Sequence, residues 1–353
     1  MNKRIGYIDA VRGFSMLIVV YSHVLGFSFL SHPAFSFNDI FVTFMMPLFF
    51  FLSGFFMYKP GRFNARGMAF KFLKDKIMAL IVPTLFFTIV YCLIFQYPLK
   101  DLWLEKAKCG YWFTLTLFVY FIIYVIGELT LGSILKGKSK VAVGVVVAAA
   151  VYVFSKFSMS SSCPWASSFL CGLLGYANFQ YFVFFFFGAL IRAYFPVFVR
   201  MLDQRKSMLF IVSAFIIVQF LLQLPQSREW IVATLSFYSY SLLKSVAGFL
   251  GIVVVFACFR KYRSFFENSV VGAKLQFLGA RTLDVYLIHL ILIRTDMGYF
   301  GDFLARHASP VVELFLVTAV SVLIIYVCLL ISSVLRSSDV LAKILFGKVL
   351  DKS

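Results

Sequence analysis

The chain has 353 residues, of which 62% are hydrophobic and only 14% charged, and its mean hydropathy is +0.93. A water-soluble fold cannot hide that much apolar surface, so a soluble enzyme or binding module is excluded. The formal net charge of +18 does not call for nucleic acid, because the lysines and arginines gather between long apolar runs, where they would line a membrane rim beside anionic headgroups.

Apolar runs near the length that spans a ~30 Å hydrocarbon core recur from end to end. They lack the short alternating pattern of barrel strands. The expected fold is therefore all-α, a polytopic integral membrane bundle of about ten transmembrane helices. The spans are predicted at 8–30, 38–58, 77–97, 111–134, 139–155, 178–195, 207–224, 240–259, 276–297 and 310–335. The first is too long for a cleaved leader and runs straight into the second, so it reads as a span. The fifth is short, and 165–177 is apolar enough for a re-entrant or interfacial piece.

Basic residues are unevenly shared between the two sets of loops. One set holds Lys59, Arg62, Arg66, Lys71, Lys74 and Lys76, then Lys136, Lys138 and Lys140, and similar clusters near 200, 260 and the C-terminus. The other holds only Lys100, Lys106, Lys108, Lys156, Arg228, Arg294 and Arg306. By the positive-inside rule both termini are expected in the cytoplasm. No loop between the spans is long enough for a soluble domain, so a single transmembrane domain over 1–353 is expected. The six cysteines show no metal-ligand spacing, and no metal site is expected. Cys163 and Cys171 share one predicted exterior loop; isolated apolar cysteines are the plainer reading, a disulfide the alternative.

Within the first span, Arg12 and His23 stand eleven positions apart. Three helical turns bring them back to within about 20° of each other, roughly 16 Å apart along the axis. Ionisable groups at membrane depth are expensive and mark substrate or proton pathways. A neutral imidazole suits removal of a hydroxyl proton during acyl transfer, and a guanidinium, always charged and forked, suits a phosphate. The plainer reading of Arg12 is an ion pair with Asp9, three residues earlier. For His23 it is a hydrogen-bonded packing residue.

The run Ile8-Asp9-Ala10-Val11-Arg12-Gly13, followed by His23, resembles the opening helix of the membrane-bound acyltransferase 3 family, and the closest likeness is to its sugar O-acetylating subgroup. Further blocks agree in order: Met46-Pro47-Leu48-Phe49 through Ser53-Gly54-Phe55, Tyr111-Trp112-Phe113, Phe186-Phe187-Gly188, and Thr282-Leu283-Asp284-Val285-Tyr286-Leu287-Ile288-His289. Two departures stand out. Met45 sits where members often carry a polar residue, and the arginine cluster many members have before the third-helix proline is replaced, ahead of Pro83, by Lys71, Lys74 and Lys76.

The resemblance implies an O-acyltransferase in the inner or plasma membrane. It would move an acyl group, most simply acetyl, from cytoplasmic acetyl-CoA to a sugar hydroxyl of a cell-surface polysaccharide or lipid-linked glycan. His23 is then the candidate base, with His289 and Tyr286 as further catalytic candidates. Arg12, Lys74 and Lys76 are candidates for the donor. Asp9, Ser53, Tyr111 and Trp112 are candidates for the acceptor. Ser53-Gly54 also reads as a small-residue packing site, and Tyr111-Trp112 as an interfacial aromatic belt. A transporter of a lipid-linked sugar or anionic amphiphile is the rival reading, though the paired repeats typical of transporters are not visible in the chain.

Overall fold

The computed structural model describes residues 5–31, 35–63, 65, 67–105, 108–134, 137–158, 178–223, 237–293, 297–307 and 309–347. Among them there is no strand. Numbered along the chain, the helices are α1 (Gly6–His23), α2 (Phe37–Met57), α3 (Met68–Lys76), α4 (Val82–Phe95), α5 (Leu99–Leu104), α6 (Trp112–Ile134), α7 (Gly137–Ser158), α8 (Phe182–Ala193), α9 (Phe195–Asp203), α10 (Arg205–Gln223), α11 (Phe237–Lys261), α12 (Arg263–Asn268), α13 (Val270–Ala280), α14 (Thr282–Leu292), α15 (Gly298–His307), α16 (Pro310–Leu335) and α17 (Asp339–Phe346).

The expected spans fall on helical segments, but the one expected over 276–297 is broken at Arg281 into two helices rather than continuous. By length and apolarity, seven helices in the described residues can cross a membrane: Gly6–Phe29, Phe37–Met57, Met68–Phe95, Trp112–Thr130, Arg205–Gln223, Tyr240–Lys261 and Pro310–Leu335. Two broken pairs, Phe179–Ala193 with Phe195–Asp203 and Val270–Ala280 with Thr282–Leu292, raise the number to nine if each counts as one span. The short fifth segment is a helix whose apolar stretch, Val141–Val153, falls below a full crossing. The Cys163 and Cys171 alternatives, and the interfacial piece expected at 165–177, lie outside the described residues.

The helices gather into two compact units, one of Met1–Phe49 with Tyr194–Leu329 and the other of Phe50–Ala193 with Leu330–Ser353. In the first unit α1 is the core element. Residues from Tyr7 to Ser22 are buried around most of its circumference. A helix apolar all round belongs inside a bundle, and α1 packs chiefly on α13. That packing is close because of two glycines. A Cβ on Gly13 would fall 2.0 Å from the Leu275 carbonyl oxygen, and one on Gly279 would fall 2.0 Å from that of Asp9. Small residues let helix backbones approach in lipid, where no hydrophobic force separates helix from tail.

After α13 the chain turns sharply, by 83°, into α14. α14 then runs alongside α1 in the same direction, as three successive contacts require. Arg12 meets Thr282, His23 meets His289, and the Ser28 hydroxyl donates to the Ile293 carbonyl at 2.5 Å. Beyond His23, α1 widens into a π-helical stretch over Val24–Phe29, a distortion common where a helix carries a site.

The second unit repeats the glycine device. A Cβ on Gly54 of α2 would lie 1.8 Å from the Phe185 oxygen, and one on Gly188 of α8 would lie 1.9 Å from the Phe51 oxygen. α4 starts at Val82, with Pro83 in its first turn, directly after a π-helical stretch, Ile77–Ile81. Proline cannot donate to the carbonyl four residues back, and the wider turn accommodates that gap in the ladder. The Thr84 and Thr114 hydroxyls join α4 to α6 at 2.7 Å.

Candidate active site

The sequence-derived candidates divide evenly between the units. Asp9, Arg12, His23, Tyr286 and His289 belong to the first, while Ser53, Lys74, Lys76, Tyr111 and Trp112 belong to the second. In the first unit they form two connected groups along the α1–α14 seam.

At one end, Arg12 Nη1 lies 3.7 Å from Asp9 Oδ1, and its Nη2 donates to the Thr282 hydroxyl at 3.4 Å. The Asp9 side chain is 6% exposed and that of Arg12 33%. The guanidinium is thus braced from the buried side and keeps an accessible flank. The ion pair expected as the plain reading of Arg12 is present.

Eleven residues on, His23 Nδ1 lies 3.0 Å from His289 Nε2. The two rings are within 6° of parallel with centroids 5.2 Å apart. That separation is too large for touching faces; the rings meet edge to edge, as an in-plane hydrogen bond requires. His289 is fully buried, and its Nδ1 lies 2.9 Å from the Val285 carbonyl oxygen one turn back. His23 is only half-buried, with Phe27 tilted against it at 5.5 Å. Tyr286 is buried beside the pair, its ring centroid 6.1 Å from that of His289. One imidazole is therefore fully buried and anchored, and the other half-buried.

Two further groups in this unit were not singled out from the sequence. Thr282 is one, and its place was readable in principle. Thr282 and His289 are seven residues apart, about two turns, so they share a face of α14 just as Arg12 and His23 share a face of α1. Glu313, an acidic residue inside the last apolar run, is the other. It is fully buried, and its Oε1 accepts from the Tyr21 hydroxyl at 2.5 Å and the Ser36 hydroxyl at 2.8 Å.

In the second unit, Tyr111 is buried with its ring edge-on to Tyr91, and Trp112 stacks on Tyr181 with centroids 6.0 Å apart. Trp112 is taken up in an aromatic cluster with Phe50 and Tyr181. Ser53 is half-buried beside the Gly54 contact. Lys74 is exposed, whereas Lys76 Nζ sits 5.4 Å from the Phe72 ring centroid and 4.7 Å from that of Phe121. Arg62, in the turn after α2, places its guanidinium carbon 5.1 Å from the same Phe72 centroid and donates to the Met57 carbonyl at 2.7 Å. Partial burial holds the Arg62 guanidinium below its ordinary pKa. Among the described residues, no group of three or more His, Cys, Asp or Glu comes together as a metal site would require.

A half-buried histidine braced by a second, fully buried one, and an arginine on the same helix face, constitute an arrangement suited to group transfer. The family model for the acyltransferase domain of the acyltransferase 3 family matches residues 5–331, nearly the whole chain. The chain belongs to the acyltransferase 3 family. No match to a curated protein or to a solved structure was found. As a helical membrane protein of that family, it is a membrane acyltransferase. The matched region takes in both groups of the α1–α14 seam, from Asp9 to His289.

Proposed function

We propose that this acyltransferase moves an acetyl group from cytoplasmic acetyl-CoA to a hydroxyl of a sugar in a cell-surface polysaccharide or its lipid-linked precursor, in the inner or plasma membrane. The observation that supports this reading is the α1 face itself: a partly exposed guanidinium at Arg12 and a half-buried imidazole at His23, on one stripe. The roughly 16 Å between them along the axis is comparable to an extended pantetheine arm.

In this reading Arg12 holds a phosphate of the donor and the thioester carbonyl reaches His23. The imidazole takes the hydroxyl proton as the oxygen attacks the carbonyl carbon. The C–O bond forms, the C–S bond breaks, and the proton passes to the departing thiolate, so CoA leaves as the thiol. The imidazole ends neutral, and the cycle needs no metal or redox partner. The basic loops that flank the spans then face the cytoplasm with both termini, which brings Arg12 near the side where a water-soluble donor arrives.

The test is release of free CoA from acetyl-CoA by the purified protein in detergent, with and without pooled envelope glycan. Glycan-stimulated release that disappears in His23→Ala, with acetyl-CoA binding retained, is the expected result. Unchanged turnover in His23→Ala would remove His23 as the base. Absence of both release and acetyl-CoA binding in the wild type would remove acetyl-CoA as the donor.

A further inference from the structure

The two imidazoles carry more information than their proximity. The Val285 carbonyl oxygen can only accept, so the ring nitrogen 2.9 Å from it, His289 Nδ1, must carry a proton. In a neutral imidazole the other nitrogen is then bare. His289 Nε2 is consequently an acceptor, and its neighbour at 3.0 Å, His23 Nδ1, must be the donor. A neutral His23 that donates through Nδ1 has its lone pair on Nε2. A single backbone carbonyl one turn away, relayed through one buried ring, thus fixes the tautomer of His23.

We infer that His289 is the positioning residue of the reaction, holding His23 in the tautomer and orientation that present Nε2 to the acceptor hydroxyl. This rests on the reading of His23 as the base. The buried imidazole fills the place that a carboxylate fills in hydrolase triads, where the third group orients the base and stabilises the imidazolium that forms. When His23 Nε2 takes the hydroxyl proton, its Nδ1–H bond to His289 becomes charge-assisted and strengthens. No proton moves to His289, and both rings return to their starting state once the proton reaches the thiolate.

The geometry also explains why the partner is neutral. A carboxylate at the fully buried position of His289 would set a lone negative charge at membrane depth, which is costly. An imidazole supplies the same acceptor with no net charge. Its ring is locked because burial and the Val285 bond leave one orientation, and α14 is itself held against α1 by the contacts at Thr282 and Ile293.

The deciding experiment compares His289→Phe and His289→Gln in the full-length protein, with CoA release, acetyl-CoA binding and thermal denaturation all measured. Gln can place an acceptor oxygen where Nε2 stood; Phe fills the space and offers none. His289→Phe should lose about a hundredfold or more in kcat, the scale of general-base catalysis, with acetyl-CoA affinity and melting temperature close to wild type. His289→Gln should recover to within about tenfold of wild type, the loss expected of an imperfect orienting partner. A 15N spectrum of the histidine-labelled protein gives an independent reading, since the chain has only four histidines. His23 should show a protonated Nδ1 and a bare Nε2 in the wild type, and lose that preference in His289→Phe. Full activity in His289→Phe, or an Nε2-protonated His23 in the wild type, overturns the inference. Equal loss in both variants together with lost acetyl-CoA binding assigns His289 a purely structural role and overturns it too. If His23→Ala is fully active as well, the fault lies with the proposed function; if His23→Ala is dead and His289→Phe is active, only the positioning role falls.

Discussion

Gly13 on α1 and Gly279 on α13 are reciprocal: each stands where a Cβ would lie 2.0 Å from a backbone oxygen of the other helix, Leu275 for the one and Asp9 for the other. Neither obstacle is a flexible side-chain tip, so an added methyl must push the helices apart. Gly13→Ala and Gly279→Ala should each cost about 1–3 kcal/mol or more, the range for overpacking a close contact. Thermal denaturation in detergent checks this. Because α13 leads into α14, the same substitutions should also loosen the His23–His289 contact and lower turnover. A variant with wild-type melting temperature would show that the helices approach less closely than described.

Arg12 should behave as a binding residue rather than a chemical one. Its fork is braced by Asp9 at 3.7 Å and Thr282 at 3.4 Å, and it remains a third exposed. Arg12→Ala should raise KM for acetyl-CoA about tenfold to a hundredfold with kcat little changed, since a hydrogen bond to a charged group is worth about 1.5–3 kcal/mol. Arg12→Lys should recover only part, because an ammonium cannot form a bidentate contact. Thr282→Val, which removes one long bond from the brace, should raise KM by a smaller factor than Arg12→Ala. Steady-state kinetics on the three variants decides, and a kcat defect in Arg12→Ala with unchanged KM would contradict the assignment.

The helical architecture and its spans are legible in the sequence because membrane depth enforces long apolar runs, and those runs survive any tertiary context. The site is legible in halves. Arg12 and His23 stand out because they lie on one helix and their spacing is a whole number of turns. His289 is marked by the family resemblance, but the pairings are not legible, because Thr282 and His289 come from α14, some 270 residues away, and single-sequence reading yields faces without saying which face meets which. The atom 2.9 Å from His289 Nδ1 is the backbone oxygen of Val285, which no residue type advertises. The bend between α13 and α14 is equally hidden: a lone Arg281 inside a run of span length does not announce a break, and one span is expected over 276–297.

Ser53 and Gly54 separate two readings of one dipeptide. Gly54 faces Phe185 and Gly188 faces Phe51, each with under 2 Å left for a Cβ, so the dipeptide has a packing task whatever else it does. Gly54→Ala should destabilise the protein about as much as Gly13→Ala. Ser53→Ala, which removes only a hydroxyl at a half-buried position, should leave the melting temperature within the small range of ordinary substitutions, about ±0.5 kcal/mol. Turnover then isolates any role of the hydroxyl: a KM rise for the glycan acceptor in a fully stable Ser53→Ala would place Ser53 against the sugar, and unchanged kinetics would confine the dipeptide to packing.

Glu313 links three elements at the other end of α1. Its Oε1 receives the Tyr21 hydroxyl of α1 and the Ser36 hydroxyl that precedes α2, and it sits in the first turn of α16. The Ser36 oxygen in turn accepts the Asn38 backbone N–H at 3.0 Å, so the carboxylate also steadies the start of α2. Glu313→Ala would leave two buried hydroxyls without their acceptor, at about 1–3 kcal/mol each. Glu313→Gln keeps an acceptor oxygen and should cost clearly less. Tyr21→Phe removes one donor, and combined with Glu313→Ala it should show a coupling of about 0.5–3 kcal/mol, the range for residues in direct contact. Tyr21 lies two positions from His23, on nearly the opposite face of α1, since two residues turn the helix by about 200°. Loss of the Glu313 contact should therefore lower stability before it touches chemistry: at a temperature well below the melting point, Glu313→Gln should retain wild-type kcat. A large kcat defect in a stably folded Glu313→Gln would instead tie this buried carboxylate to the reaction.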